Sequence, residues 1–152
     1  MIELPFIGSQ YSALLGRGVF ADGKRLRVSE TSTLADALIS IDQYALGEDA
    51  ERKNRLRLRL TERLAHDAQR VRMQGAPAID LAWTATGRLD ACIMLGNKPW
   101  DTSAGVLIAL EAGARVVDHD GSEHSQDPDS TIAVTPALEA ELMAAVQAAL
   151  AE

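Results

Sequence analysis

Short apolar runs alternate with helix-length amphipathic segments along this chain, and that alternation restricts its fold more than any other feature. The longest such segment, 48–70, is rich in charged residues. Apolar residues occur in it and directly after it at spacings of four, four and seven positions: Leu56, Leu60, Leu64 and Val71. These spacings place the apolar side chains on one face of a long helix. Apolar runs at 37–44 and 71–73 predict a strand on either side of it.

The rest of the chain continues the alternation. The predicted strands are 2–11 and 11–15 as a hairpin, then 26–28, 89–95, 115–117 and 131–134; the predicted helices are 77–86, 101–111 and 136 to the C-terminus. Residues 16–24 are interpreted as a loop in which Asp22 and Gly23 form a tight turn. Alternating strands and helices indicate the α/β class, and 152 residues fit a single domain, 1–152.

Charge restricts the partners. The formal net charge of -7 argues against nucleic acid, because affinity for phosphate backbones comes mainly from clustered Lys and Arg. One such cluster lies along the predicted helix 48–70: Arg52, Lys53, Arg55, Arg57, Arg59 and Arg63. We interpret it as a solvated helix face. The alternative, a nucleic-acid surface, would require strongly salt-dependent binding.

The single cysteine and the N-terminal sequence bear on the cellular location of the protein. Cys92 lies inside the apolar run 89–95, which favours a buried structural thiol. No basic region followed by an apolar stretch opens the chain, and no segment has the length of a membrane span. We therefore expect a cytoplasmic protein without a membrane partner.

Asp101 is the most informative residue for chemistry. It stands at the start of an otherwise uncharged predicted helix, where a carboxylate can cap free backbone N–H groups. The positive end of the helix dipole also holds such a group ionised and attracts anionic ligands. Both an N-cap and a metal ligand fit this position.

A dense set of acids and histidines follows this helix: Asp118, His119, Asp120, Glu123, His124, Asp127 and Asp129. We interpret these as hydrated turn residues, because no regular element would direct the two histidines toward one ion.

The segment 99–118 resembles the C-terminal signature of the inositol monophosphatase family. In that signature a Trp-Asp pair opens a helix rich in Ala and Gly, and Glu-Ala-Gly leads into a strand, as here from Trp100 to Val116. The segments 11–29 and 75–90 are also similar to the family, so the resemblance covers nearly the whole chain. It implies a layered α/β sandwich with a mixed sheet flanked by helices, like the family's C-terminal domain.

The resemblance also implies an activity. The aspartate matching Asp101 binds Mg²⁺ and orients the substrate, and the turn matching Gly75, Ala76 and Pro77 presents backbone groups to it. The implied enzyme is a magnesium-dependent phosphomonoesterase that hydrolyses a small phosphorylated polyol or sugar, such as inositol phosphate or histidinol phosphate. A metal-activated water would attack the phosphate without a covalent intermediate.

Several positions depart from the family pattern. Ala76 replaces a Ser or Thr, Pro77 replaces an Ala, and Met94 stands where many members carry a glutamate that contacts inositol. The family's Glu-Glu pair and its Asp-Pro-Ile-Asp-Gly-type motif, which supply most of the metal-binding carboxylates, do not occur in this sequence.

These departures lead to two hypotheses. In the first, the chain is the C-terminal half of such a phosphatase, incomplete when alone. In the second, it is a non-catalytic truncated homologue that acts as an interaction or ligand-binding module. Either way, apolar surface or an unpaired sheet edge would favour self-association or a homo-oligomer.

Overall fold

The computed structural model describes residues 1–125 and 130–151. The strands are β1 (Ile2–Leu4), β2 (Ser9–Leu14), β3 (Gly18–Ala21), β4 (Lys24–Arg25), β5 (Leu38–Ile41), β6 (Arg70–Arg72), β7 (Ala91–Leu95), β8 (Arg115–Val117) and β9 (Ser130–Val134). The helices are α1 (Ala50–Asp67), α2 (Pro77–Ala85), α3 (Pro99–Glu111) and α4 (Glu139–Ala151), with short 3₁₀ turns at Pro5–Ile7, Leu34–Asp36 and Pro136–Leu138.

The larger sheet has five strands in the order β6-β5-β7-β9-β8. Strand β5 runs parallel to β6 and β7, whereas β9 runs antiparallel to β7 and β8. This sheet is mixed, which confirms the predicted class. Strands β7 and β9 are buried along their whole length, because helices cover both faces of the sheet.

Alternate side chains of β7 face opposite helix layers. Ile93 belongs to the core shared with Leu60 of α1 and Leu142 of α4. Cys92 and Met94 belong to a second core, with Leu81 of α2 and Ala109 of α3 among its members. The two-residue period of a strand thus places α1 and α4 on one face and α2 and α3 on the other.

The smaller sheet is an antiparallel meander, β1-β2-β3-β4, that forms the outer layer beyond α2 and α3. Its inward residues Ile2, Tyr11 and Val19 pack in one core with Ala82 of α2 and Ile108 of α3. The predicted hairpin at the N-terminus is confirmed as the β1–β2 pair.

Glu111, the last residue of α3, joins this meander to the helix. Its two carboxylate oxygens accept hydrogen bonds from the backbone N–H groups of Gly16 and Gly18, each at 2.6 Å. Those bonds lower the pKa of Glu111. Both glycines have positive φ, a conformation that points successive N–H groups at one anion.

Two predictions for the meander were wrong. Residues 18–21, interpreted as part of a loop, form β3, because cross-strand bonding to β2 overrides their weak local signal. Residues 26–28 are not a strand. Although the Leu26 N–H donates to the Val19 carbonyl, the Val28 N–H donates to the carbonyl of Ala112 at the end of α3. The chain therefore leaves the sheet at this point.

The final helix begins later than predicted, since Pro136 opens a 3₁₀ turn that leads into α4 at Glu139. Among the residues that the structure describes, no helix combines the length and apolar character needed to cross a lipid bilayer.

Candidate functional site

A cleft of about 300 Å³ opens at one edge of the larger sheet. The parallel strands β5, β6 and β7 have their carboxyl ends there, and helices α2 and α3 begin there. Its lining consists of Asp42, Gln43, Gly75, Ala76, Pro77, Asp80, Met94, Gly96, Asn97 and Asp101. Gly75 and Asp101, the two residues singled out from the sequence, thus lie in the same cleft, although 26 positions separate them in the chain.

Asp101 lies in the first turn of α3 and is exposed. Of the two roles that the sequence leaves open for Asp101, N-cap and metal ligand, the structure excludes the N-cap. Pro99 occupies the first turn with its fixed φ, so the capping position falls on Lys98, whose backbone is extended. Within residues 1–125 and 130–151, the Asp101 carboxylate accepts no hydrogen bond. It therefore stands free at the positive end of the α3 dipole.

The turn at 75–77 forms the opposite wall. Gly75 has a φ of +72°, and a Cβ there would lie 3.2 Å from Oε1 of Gln43. A side chain at this position would thus be both strained and crowded. Ala76 precedes α2 in an extended conformation and provides no side-chain cap. Pro77 has no N–H, and Ile79 and Asp80 donate to the Ala76 carbonyl. The Ala78 N–H is therefore the first-turn donor that makes no hydrogen bond within the described residues.

Asp80, in the first turns of α2, is a residue of this cleft that sequence reasoning missed. It is only 2% exposed, and Ser40 of β5 donates a hydrogen bond of 2.7 Å to its Oδ1. Burial raises the pKa of Asp80 to about 6, with the Ser40 bond opposing the shift and the Asp42 charge adding to it. The available signal was one acidic residue inside an otherwise apolar helix.

Asp42 is held by Arg57 from α1. The Arg57 guanidinium donates to Asp42 Oδ2 at 2.7 Å and also to the Leu95 carbonyl. Arg57 is only 6% exposed, so its assignment to a solvated face was wrong. Its partners, Asp42 directly after β5 and Leu95 at the end of β7, explain the burial. The exposed positions, as predicted, are Arg52, Lys53, Arg55 and Arg63.

Asn97 closes the cleft beside Asp101. Its amide nitrogen donates to Thr102 Oγ1 at 3.3 Å and to Thr131 Oγ1 at 3.1 Å, linking α3 to β9. Its Oδ1 is buried and has no partner in the described part of the chain. These contacts fix the segment that connects β7 to α3.

The carboxylates of the cleft fit a magnesium site only in part. Over the described ranges, no group of three or more His, Cys, Asp or Glu side chains is placed to hold a metal ion. Asp42 is engaged by Arg57 and Asp80 by Ser40, which leaves Asp101 as a free carboxylate. Mg²⁺ in enzymes often takes one or two carboxylates plus water and substrate phosphate, and Asp101 can supply one of these.

Two other predicted features have clear outcomes. Cys92 is fully buried and burial raises its pKa to about 12, which confirms an inert thiol. In the turn after β8, Asp120 and Glu123 are exposed as predicted, but His124 and Asp118 form a largely buried pair at 3.0 Å. Asp127 and Asp129 lie outside the described residues.

The sequence model described as the inositol monophosphatase family matches residues 1–151. The chain is 35% identical over 144 residues to "Inositol-1-monophosphatase ImpA" of Mycolicibacterium smegmatis, covering 95% of this chain and 52% of that protein. It is 37% identical over 126 residues to "Inositol monophosphatase 2" of Solanum lycopersicum, with 78% and 44% covered.

A solved structure of inositol monophosphatase from Anabaena superposes with a TM-score of 0.87 at 28% identity. The match covers 95% of this chain and 56% of the solved one. The chain therefore spans about half the length of the relatives it matches.

Proposed function

The chain belongs to the inositol monophosphatase family, and on that premise we propose that it forms part of a magnesium-dependent phosphomonoesterase for small polyol or sugar phosphates. One observation carries the proposal: the free carboxylate of Asp101 and the turn at Gly75 line the same cleft. Two helix amino ends and an acidic group on one cavity suit a phosphate ester bound together with a cation.

Each wall of the cleft has a separate task in this proposal. The amino end of α2, behind Gly75 and Ala76, offers the Ala78 N–H and the positive end of the helix dipole to the anionic substrate. Asp101 supplies a negative charge. This charge would repel a phosphate group unless a bound cation neutralised it. When bound at Asp101, magnesium would lower the pKa of its water and offset charge on the phosphoryl group.

The lining also limits the substrate. Met94 is apolar and 1% exposed, so it cannot accept hydrogen bonds from inositol hydroxyls as a glutamate would. Ala76 likewise has no hydroxyl to offer. We therefore keep inositol phosphate and histidinol phosphate as candidates of equal standing, with the cytoplasm as the expected location.

The test is phosphate release from inositol 1-phosphate and histidinol phosphate, with and without Mg²⁺, for the chain and for Asp101→Asn. We expect the substitution to lower any magnesium-dependent turnover at least 100-fold. A matched control is Glu62→Gln on the exposed side of α1, which should leave turnover unchanged.

Binding gives a second readout if the chain needs further carboxylates for turnover. When Mg²⁺ and inorganic phosphate are added, the NMR chemical shifts of the backbone amides in residues 75–80 should change in the unsubstituted chain. The changes should be smaller in Asp101→Asn. If the chain showed no turnover and no Asp101-dependent binding, the proposal would be contradicted and the non-catalytic interaction module would be favoured.

A further inference from the structure

Asp80 is the buried acidic group of the cleft that the proposed function leaves without a task. It lines the cleft although it is 98% buried, since 2% of its surface is exposed. One carboxyl oxygen, Oδ1, is held by Ser40. In the described part of the chain, Oδ2 accepts no hydrogen bond. This oxygen is not completely enclosed, so it remains partly accessible.

We propose that Asp80 determines specificity by hydrogen-bonding a hydroxyl group of the polyol or sugar part of the substrate through Oδ2. The inference rests on the proposed function, because it concerns the same cleft. The hydroxyl would donate to the ionised carboxylate, and Ser40 would hold the carboxylate in place from the other side.

The side chains around Asp80 provide no cation that would compete with a substrate hydroxyl for Oδ2. The one buried guanidinium near the cleft, Arg57, is already engaged by Asp42 and the Leu95 carbonyl. No cationic side chain among the described residues pairs with Asp80. Nor does the described part of the chain place three His, Cys, Asp or Glu side chains there that could hold a metal ion together. A buried carboxylate without a cation gains from a well-placed hydroxyl donor, because that donor replaces a hydrogen bond lost from water.

The neighbouring side chains make this acceptor selective. Met94, which also lines the cleft, offers an apolar surface. Met94 therefore cannot replace Asp80 as an acceptor for a substrate hydroxyl. The raised pKa of Asp80 agrees with this geometry, since a group that burial has made costly to ionise regains stability from a bound donor.

The test compares three probes at saturating Mg²⁺ by calorimetry: inositol 1-phosphate, cyclohexyl phosphate, which has the same ring without hydroxyls, and inorganic phosphate. We expect Asp80→Ala to weaken the binding of inositol 1-phosphate by 10- to 100-fold. The affinities for cyclohexyl phosphate and inorganic phosphate should change by less than 2-fold. A purely structural role would weaken all three alike or none.

Asp80→Asn serves if the alanine variant does not fold, because the amide keeps the size and can still accept from Ser40. It should lose a smaller part of the same preference for the hydroxylated probe, and Glu62→Gln should lose none. Equal binding of all probes by the Asp80 variants and the unsubstituted chain would overturn the inference alone. Absence of any phosphate binding would overturn the proposed function and this inference together.

Discussion

Asp80 also makes the stability of the chain depend on pH. Its folded pKa of about 6 lies above its ordinary value of 3.8, so the folded state binds more protons than the unfolded state between these values. Stability from this group is therefore fully present below about pH 4 and is lost as the pH rises through 6. The shift corresponds to roughly 3 kcal/mol as an upper bound.

Urea unfolding of the chain and of Asp80→Asn at pH 5 and pH 8 measures this effect. We expect the variant to gain stability relative to the unsubstituted chain on going from pH 5 to pH 8, since an amide cannot ionise. The exposed control Glu62→Gln should show the same difference at both values. A difference for Asp80→Asn that is independent of pH would contradict the prediction.

Some residues of the cleft could be identified from the sequence and others could not. Asp101 and Gly75 belong to motifs with a strong local pattern, and both line the cleft. Asp80 and Arg57 sit on helices whose local pattern predicts only a solvated or apolar face. Their partners are Ser40 on β5 and Asp42 directly after it, which lie 40 and 15 positions away in the chain, and only tertiary structure reveals them.

Helices α2 and α3 approach each other through one glycine. A Cβ on Gly105 of α3 would lie 2.5 Å from Cδ1 and 2.7 Å from Cβ of Leu81 on α2. The contact with Cβ cannot be relieved by a rotamer change, so a substitution must separate the helices.

We therefore expect Gly105→Ala to destabilise the fold by about 1–3 kcal/mol despite the higher helix propensity of alanine. Thermal and urea unfolding measure the change. Ser103→Ala, on the exposed side of the same helix, is the matched control and should change stability by less than about 0.5 kcal/mol. Equal stability of the chain and Gly105→Ala would show that the two helices can shift freely.

At the level of elements, periodicity predicted what is locally determined. Helix α1 lies within the predicted 48–70, because its apolar residues repeat over several turns. Strand β3 was missed, because its glycine and short length carry little signal without β2 beside it. The start of α3 was also misplaced, since Pro99 determines it and Asp101 does not.

Apolar side chains at the outer sheet lead us to predict self-association. Phe6 and Ile7 are exposed next to β1, a strand that pairs only with β2 among the described residues. Leu15 is also exposed, at the other end of β2. An open edge strand flanked by apolar side chains can pair with another copy.

Light scattering after size exclusion should show a mass that rises with concentration over about 10–300 μM. Replacing both Phe6 and Ile7 by serine should lower the mass toward that of one chain, whereas Leu58→Ser, an exposed position on α1, should not. A single monomeric mass over the whole range would count against the prediction.

The layered sandwich of the whole molecule could be predicted only in outline. The alternation of strands and helices gives the class, and the family resemblance gives the mixed sheet. The order of layers depends on which face each strand residue occupies, as with Cys92 and Ile93. It also depends on long-range contacts such as the hydrogen bonds from Gly16 and Gly18 to Glu111.

The hydrogen bonds from Gly16 and Gly18 to Glu111 hold one end of α3, so this helix can be described as a lever. Gly105 lies against Leu81 in the middle of the helix, Glu111 is fastened to the meander at one end, and Asp101 stands free at the other. With a rise of about 1.5 Å per residue, the arms are roughly 9 Å and 6 Å long. A tilt that moves Glu111 by about 1 Å would therefore move Asp101 the opposite way by about 0.7 Å. The bonds that hold Glu111 to the outer sheet therefore also restrict the movement of Asp101 in the cleft.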